Sequence, residues 1–185
     1  VIAFLSLLTL LFLLPLKTFE PYVVTVDRNT GYYEVARGLK DSDLTSDQAI
    51  TESNLVRYVT LREQYNPAIL RNNYERVILM SGGSALREFR DLWGDNPNNP
   101  SRKLGTKTGI EIRIKSVSFI GEKIAQVRFI KEQRSPEGTR ESHWNAVLEF
   151  QYTQKPTRMR DRFENPLGFQ VINYRINPET LENIR

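Results

Sequence analysis

Residues 110–115 of the chain read Ile-Glu-Ile-Arg-Ile-Lys, with an isoleucine at every second position and a charged residue between. Successive side chains of a β-strand point to opposite faces, so this alternation predicts a strand with one buried and one solvated face. The same period returns at residues 125–129 and from Trp144 to Tyr152, and a last strand is predicted from Phe169 to Ile176. Short turns join the first three of these four strands, which indicates an antiparallel sheet.

Hydrophobic residues recur at a helical period before these strands. Thr45 followed by Gln48 has the form of a capping box at a helix start, and Pro67 is typical of the first position of a second helix. Gly82 and Gly83 are expected to end that helix. The three predicted helices span residues 45–66, 67–81 and 85–93. The following loop, residues 95–106, contains two prolines and three asparagines and separates the helices from the strands.

Helices followed by antiparallel strands indicate an α+β domain in which the helices pack on a curved antiparallel sheet. Upstream, β-branched and aromatic runs at residues 22–26 and 32–35 flank a turn that contains asparagine and glycine, which predicts a hairpin or an extended ribbon. We therefore divide the 185 residues into an apolar segment (1–16), a linker or ribbon (17–36) and one α+β domain (37–185).

The segment of residues 1–16 contains 13 hydrophobic residues and no charge. The run up to Leu14 covers about 21 Å as a helix, against about 30 Å of hydrocarbon in a bilayer. The chain starts with Val1 rather than methionine, so we expect apolar residues upstream that complete a transmembrane helix. A cleaved secretory signal is the alternative, but no Ala-x-Ala-like site follows the run, which favours a retained anchor.

The composition argues against several classes of functional site. The chain has no cysteine, which excludes cysteine nucleophiles, disulfides and cysteine-based metal sites. His143 is the single histidine, and it precedes Trp144 on the strand face opposite the alternating hydrophobic residues. No metal-binding or phosphate-binding motif of standard spacing occurs. We therefore predict no catalytic residue, no metal site and no cofactor, and expect a protein that is not an enzyme.

Basic residues exceed acidic ones by 26 to 22, for a net charge of +4 and a pI near 9.4. Residues 155–164 hold four basic and two acidic side chains. Such an excess of basic residues is found in segments that bind nucleic acid or anionic lipid. Charges of both signs are interleaved along the whole domain, and no aromatic–basic platform repeats. The sequence therefore favours a solvated loop at these residues and does not favour direct nucleic-acid binding.

The stretch Asn165-Pro166-Leu167-Gly168-Phe169 has no catalytic group but strong turn chemistry. Proline fixes its own φ, and glycine takes a positive φ that other residues resist. We predict a rigid exposed turn that presents Leu167 and Phe169. Such a turn serves either to begin the last strand or to form a contact surface.

At this turn the sequence resembles the inner-membrane core subunit of bacterial type IV secretion systems, the VirB-eight type. Further motifs of that family occur in order along the chain: Pro15-Leu16-Lys17, Pro21-Tyr22-Val23-Val24, Val26-Asp27, Thr30-Gly31, Tyr58-Val59, Arg62-Glu63, Tyr65, Met80-Ser81, Val171, Tyr174-Arg175 and Pro178-Glu179. The resemblance therefore extends over essentially the whole chain.

The resemblance implies a bitopic protein with a short cytoplasmic tail, one transmembrane helix in the bacterial inner membrane and a periplasmic domain. The implied fold is the cone-like α+β fold of nuclear transport factor two. The implied function is that of a non-enzymatic assembly subunit of a secretion or conjugation channel. Implied partners are copies of the chain itself, other inner-membrane and periplasmic secretion subunits, and membrane lipid around the N-terminal helix.

In this family the Asn-Pro-x-Gly turn is associated with assembly contacts, and Asn165, Pro166 and Gly168 match it. Together with Leu167 and Phe169 they are the predicted partner-binding residues. A second predicted set consists of Tyr58, Arg62 and Glu63, which line either a contact or a buried polar cluster.

Two alternatives remain open from the residues alone. One is a small-ligand-binding or enzymatic cone-fold domain tethered to a membrane, which would need a polar group on the concave side of the sheet. The other is a mobilisation protein that contacts DNA, and it depends only on the basic balance of the chain.

Overall fold

The computed structural model describes residues 25–26, 33–34, 46–153 and 158–179, which fall into two units. The first unit contains the two short strands β1 (Thr25–Val26) and β2 (Tyr33–Glu34). They pair antiparallel, as the hairpin pattern predicts.

The second unit contains all the remaining described residues. In chain order its elements are α1 (Ser46–Glu63), α2 (Leu70–Leu79), α3 (Gly83–Trp93), α4 (Pro100–Leu104), β3 (Gly109–Phe119), β4 (Ile124–Ser135), β5 (Gly138–Tyr152), α5 (Met159–Glu164) and β6 (Phe169–Pro178). Strands β3 to β6 form one antiparallel sheet in the order β3-β4-β5-β6. The α+β prediction and all four predicted strands are thereby confirmed.

The core lies between one face of the sheet and the helices. Its most deeply buried side chains, at most 1% exposed, are Leu55, Tyr58, Val59, Val77, Ala85, Phe89, Ala125, Val127, Phe129, Ala146, Leu148, Phe169 and Val171. The isoleucines of β3 are only half-buried, although Ile112 and Ile114 pack against this core. Strand β3 lies at one edge of the sheet, whereas β4 and β5 have a neighbouring strand on both sides.

Each edge of the sheet is paired to a residue that follows a helix. After α1, Tyr65 pairs with Ile110 of β3 through two backbone hydrogen bonds of 2.8 and 2.9 Å. After α2, the Gly82 N–H donates to the Val171 carbonyl at 2.8 Å, and the Val171 N–H donates to the Met80 carbonyl at 2.9 Å. These pairings cover part of each edge and fix the helical layer onto the sheet.

The helical elements differ from the predictions at several places. Gly83 begins α3 and does not end α2, which already ends at Leu79. Helix α2 begins at Leu70 and not at Pro67, because Asn66 first forms a turn in which its side chain accepts from the Ala68 N–H at 3.0 Å. The predicted loop at residues 95–106 contains the short helix α4, capped by the Asn99 side chain on the Ser101 N–H at 2.9 Å. The segment predicted as a solvated loop contains helix α5, which arginines of α1 and α2 hold in place.

Among the residues that the structure describes, no helix is long and apolar enough to cross a membrane. The predicted transmembrane segment, residues 1–16, lies outside the described residues.

The Glu179 carboxylate connects β6 to two other strands at the end of the sheet. Arg128 of β4 donates to it at 2.6 Å and Lys115 of β3 at 3.2 Å, while the Glu179 backbone N–H donates to the His143 carbonyl of β5 at 2.8 Å. Burial alone raises the pKa of this carboxyl. The hydrogen bonds and charges of Arg128 and Lys115 outweigh burial, so the pKa of Glu179 lies below its usual range.

We expect Glu179→Gln to lower the free energy of unfolding at pH 7 by about 1–2 kcal/mol, because charge-assisted hydrogen bonds are lost. Since the pKa is lower in the folded than in the unfolded chain, this stabilisation is full above the usual glutamate pKa of 4.5 and is lost as the pH falls through the folded pKa. Urea unfolding of the unmodified chain and the Glu179→Gln chain at pH values from 7 to 3 measures this stabilisation. A difference in the free energy of unfolding that stays constant with pH would contradict the lowered pKa of Glu179.

Candidate functional site

The predicted turn is organised by the Asn165 side chain, which is buried. Its amide nitrogen donates to the Phe169 carbonyl and its amide oxygen accepts from the Phe169 N–H, both at 2.8 Å. The Gly168 N–H closes the turn on the Asn165 carbonyl at 3.2 Å. An asparagine fits this position because its side chain has one donor and one acceptor, and so satisfies both backbone groups of the first residue of β6.

Gly168 docks the turn onto the end of β5. Its φ is +64°, and its carbonyl accepts from the Thr153 N–H at 2.9 Å. A Cβ added at this glycine would lie 2.4 Å from the Thr153 carbonyl oxygen. The position therefore requires glycine for two reasons: its backbone conformation and its close approach to Thr153.

The turn presents Leu167 but not Phe169. Leu167 is 51% exposed, whereas Phe169 is fully buried and packs against Phe150 and Tyr152 at ring-centroid distances of 5.8 and 5.5 Å. The prediction that Phe169 is displayed is wrong, because β6 begins at this residue and directs its first side chain into the core. The solvent-facing residues of the turn are Pro166 and Leu167.

The residue before the turn, Glu164, connects three helices. Its carboxylate forms ion pairs with Arg57 of α1 and with Arg76 of α2, the latter at 2.8 Å. Arg57 also donates to the Glu164 backbone carbonyl at 2.8 Å. The turn is therefore held from both sides, by these arginines before it and by Thr153 behind it.

The second predicted set, Tyr58, Arg62 and Glu63, lies inside the domain. Arg62 donates to the Tyr58 hydroxyl at 2.9 Å, and that hydroxyl lies 3.0 Å from the Ser81 hydroxyl. Ser81 gives its single proton to the Val77 carbonyl at 2.6 Å, so Tyr58 is the donor to Ser81. A continuous chain of hydrogen bonds thus runs from α1 to the end of α2.

The Arg62 guanidinium is buried among aromatic rings. It lies 4.2 Å from the Tyr174 ring centroid and 4.9 Å from that of Phe89, and it donates to the Ala85 carbonyl of α3 at 3.2 Å. Only 8% of the side chain is exposed. Stacking and hydrogen bonding together offset the cost of burying this charge.

Glu63 compensates this charge and joins the helical layer to the sheet. It accepts from Lys131 of β4 at 2.6 Å and from the Tyr174 hydroxyl of β6 at 2.7 Å. Lys131 in turn lies 4.5 Å from the Trp144 ring centroid. We call Tyr58, Arg62, Glu63, Ser81, Lys131 and Tyr174 the polar cluster.

Both tyrosines of the polar cluster remain protonated at neutral pH. Burial raises the pKa of Tyr58 and outweighs the opposing effects of Arg62 and Ser81. Burial also raises the pKa of Tyr174, and the neighbouring Glu63 carboxylate raises it further, to well above its usual value. The two hydroxyls are therefore dependable donors, which suits a structural network better than proton transfer.

Helix α1 connects the two predicted sets. Its Arg57 binds Glu164 beside the turn, and the next residue, Tyr58, belongs to the polar cluster. The sequence did not assign Ser81, Lys131 and Tyr174 to this cluster, although Ser81 and Tyr174 lie in motifs that carry the family resemblance. Lys131 has a weaker signal, because it occupies a position of β4 where the alternation predicts a hydrophobic residue.

Other sites that could bear chemistry are sparse in the described part of the chain. No group of three or more histidine, aspartate or glutamate side chains there could hold a metal ion. His143 lies on the face of β5 opposite Trp144, where the alternation places it. A groove of about 370 Å³ at the start of α1 is lined partly by Thr51, Phe119 and Tyr152, without His143.

Comparison with known proteins identifies the family of the chain. The model of the VirB8 protein family matches residues 1–179. The chain belongs to the VirB8 family. It is 36% identical over 172 residues to the type IV secretion system protein virB8 of Bartonella quintana, covering 92% of this chain and 73% of that protein. It is 32% identical over 179 residues to the type IV secretion system protein PtlE of Bordetella pertussis, covering 95% and 76%.

Solved structures agree with the VirB8 assignment. The TrwG component of the type IV secretion system of Bartonella birtlesii superposes with a TM-score of 0.68 at 30% identity, covering 76% of this chain and 98% of that structure. VirB8 of Agrobacterium tumefaciens gives a TM-score of 0.71 at 23% identity, covering 75% and 97%, which supports the fold.

This VirB8 family member is a structural and assembly subunit of a type IV secretion channel. It is therefore associated with the cell envelope, and its partners include other secretion subunits.

Proposed function

We propose that the chain is a single-pass protein of the bacterial inner membrane whose α+β domain, residues 37–185, lies in the periplasm. Residues 1–16 would form the end of the anchor in contact with lipid, and residues 17–36 the linker. The support is the uncharged apolar composition of the first segment and the family match, which includes it. The domain itself would act by binding partners and would catalyse no reaction.

We assign the partner contact to the turn of residues 165–169, which would bind copies of the chain and other secretion subunits. The observation that carries this assignment is Leu167, a large hydrophobic side chain 51% exposed on a turn that Asn165 and Gly168 hold rigid. A preformed turn binds at a lower entropic cost than a flexible loop, because it is already ordered before association.

For the polar cluster we propose a supporting function. Arg62 and Glu63 are only 8% and 12% exposed, which favours the buried-cluster interpretation over direct contact with a partner. Their contacts fix α1 against β4 and β6, and α1 in turn holds Glu164 beside the turn through Arg57. The cluster would therefore keep the contact surface in place without touching the partner.

We expect Leu167→Asp to reduce self-association or binding to secretion subunits by at least tenfold while the domain still folds, because an exposed apolar contact is replaced by a charge. Light scattering, pull-down of envelope subunits and substrate transfer measure the effect. Ile120→Asp is the matched control, since Ile120 is 60% exposed on the turn between β3 and β4. Equal association and transfer by both variants and the unmodified chain would remove the turn from the contact surface.

Protease digestion of cells that express the full-length protein tests the topology. Cleavage of residues 17–185 only after the outer membrane is opened is the expected result for a periplasmic domain. Protection until the inner membrane is lysed would place the domain in the cytoplasm and contradict the proposal.

A further inference from the structure

Helix α5 packs on the domain through its polar side. Glu164 is held by Arg57 of α1 and Arg76 of α2, and Arg160 donates to Glu75 of α2 at 3.2 Å. These ion pairs connect the short helix to two longer helices, so its orientation on the domain is defined.

The apolar side of α5 consequently faces solvent. Met159 and Phe163 are four residues apart and therefore lie on one side of the helix. They are 75% and 83% exposed, and no other large hydrophobic side chain in the described residues is more exposed. A surface helix normally turns its apolar side to the core, so α5 has the inverse arrangement.

Helix α5 and the residues near it carry more arginines than carboxylates. Among α5, its N-cap and the α1 and α2 residues near it, six arginines stand against three carboxylates, which leaves a net charge of +3. The arginines are Arg57, Arg71, Arg76, Arg158, Arg160 and Arg162, and the carboxylates are Glu75, Asp161 and Glu164. This one surface accounts for most of the net charge of +4 on the chain.

We propose that helix α5 docks the domain onto an anionic lipid bilayer, with Phe163 and Met159 in the interface and the net positive charge of α5 and its neighbours facing lipid phosphates. Exposed aromatic and aliphatic side chains within a basic surface are typical of segments that lie in a membrane interface. Clustered arginines near the bilayer are attracted by its negative surface potential. This contact is separate from the proposed anchor at residues 1–16.

The charge distinguishes a bilayer from a second copy of the chain. A symmetric contact through α5 would bring the same basic surface of two copies together, and like charges at an interface oppose association. An anionic bilayer instead supplies the opposite charge over the whole surface. One partner then covers the apolar side chains and balances the net positive charge.

The test uses the absence of cysteine in the chain, which permits labelling at a single introduced thiol. Met159→Cys, or Ile120→Cys as the control, carries an environment-sensitive fluorophore on the full chain reconstituted in vesicles of phosphatidylethanolamine and phosphatidylglycerol. A fraction of the lipids carries a quenching nitroxide on the acyl chain. Because the label reports its own depth, insertion of the N-terminal segment does not affect the comparison.

We expect lipid quenching to be at least threefold stronger at position 159 than at position 120. Replacing phosphatidylglycerol by phosphatidylcholine should abolish the difference, and Phe163→Ser in the labelled Met159→Cys chain should reduce it. Equal quenching at both positions would overturn the proposal. So would a blue-shifted label at position 159 that lipid does not quench, because the surface would then be covered by protein.

Discussion

Gly168→Ala is expected to lower the free energy of unfolding by about 2–5 kcal/mol. A non-glycine residue in the left-handed region costs about 1–2 kcal/mol, and the glycine here has a φ of +64°. The new Cβ would also lie 2.4 Å from the Thr153 carbonyl oxygen and 2.8 Å from the Thr153 hydroxyl. Relief of that clash must separate the turn from β5 and break the 2.9 Å hydrogen bond from the Thr153 N–H, which costs about a further 1–3 kcal/mol.

Gly105→Ala is the matched control for the backbone conformation. Gly105 has a φ of +65°, but a Cβ added there meets no atom within 4 Å. We therefore expect it to cost only the conformational part, about 1–2 kcal/mol. Urea unfolding followed by tryptophan fluorescence measures both variants. Equal losses at the two glycines would show that the approach to Thr153 has no energetic consequence.

The Gly168 and Leu167 variants separate two explanations for a loss of assembly. Gly168→Ala acts on the turn through the fold, so association and stability should fall together. Leu167→Asp changes a half-exposed side chain, so association should fall while the free energy of unfolding stays within about 0.5 kcal/mol of that of the unmodified chain. A family motif can therefore contain residues that shape a surface beside residues that form it.

The strands could be predicted from sequence because their signal is local. Alternation at residues 110–115 and 125–129 depends only on which face meets the core, and the sheet has those faces where the period puts them. The positive φ of Gly168 also agrees with the turn chemistry of its neighbours. Such features are decided by residues adjacent in the chain.

The remaining features depend on residues that are distant in the chain. Helix α5 is held by arginines about 90 and 110 residues earlier, and no local pattern indicates that pairing. Phe169 was expected on the surface because turn residues usually are, yet the strand that begins there buries it. The Glu63 contacts with Lys131 and Tyr174 span 68 and 111 residues, so only the folded chain brings the polar cluster together.

The polar cluster leads to the second large prediction. Glu63→Leu is expected to lower the free energy of unfolding by about 3–5 kcal/mol, because it leaves the charge of Lys131 and the Tyr174 hydroxyl without their acceptor. Arg62, which lies beside Glu63 and is only 8% exposed, also loses the carboxylate that compensates it. Urea unfolding measures the loss, and Trp144, whose ring lies 4.5 Å from the Lys131 ammonium, reports on the site.

A double-mutant cycle with Lys131→Met shows whether buried charge causes the loss. In the Lys131→Met chain, Glu63 keeps its contacts with Arg62 and Tyr174, and the lysine that is removed is 19% exposed. We therefore expect Lys131→Met alone to lower the free energy of unfolding by less, about 1–2 kcal/mol. If uncompensated charge is the cause, the double variant should lose less than the sum of the single variants, by at least 1 kcal/mol. Strict additivity would mean that Glu63 stabilises the domain through Tyr174 and Arg62 alone. The junction of α1 with β6 would then matter more than its junction with β4.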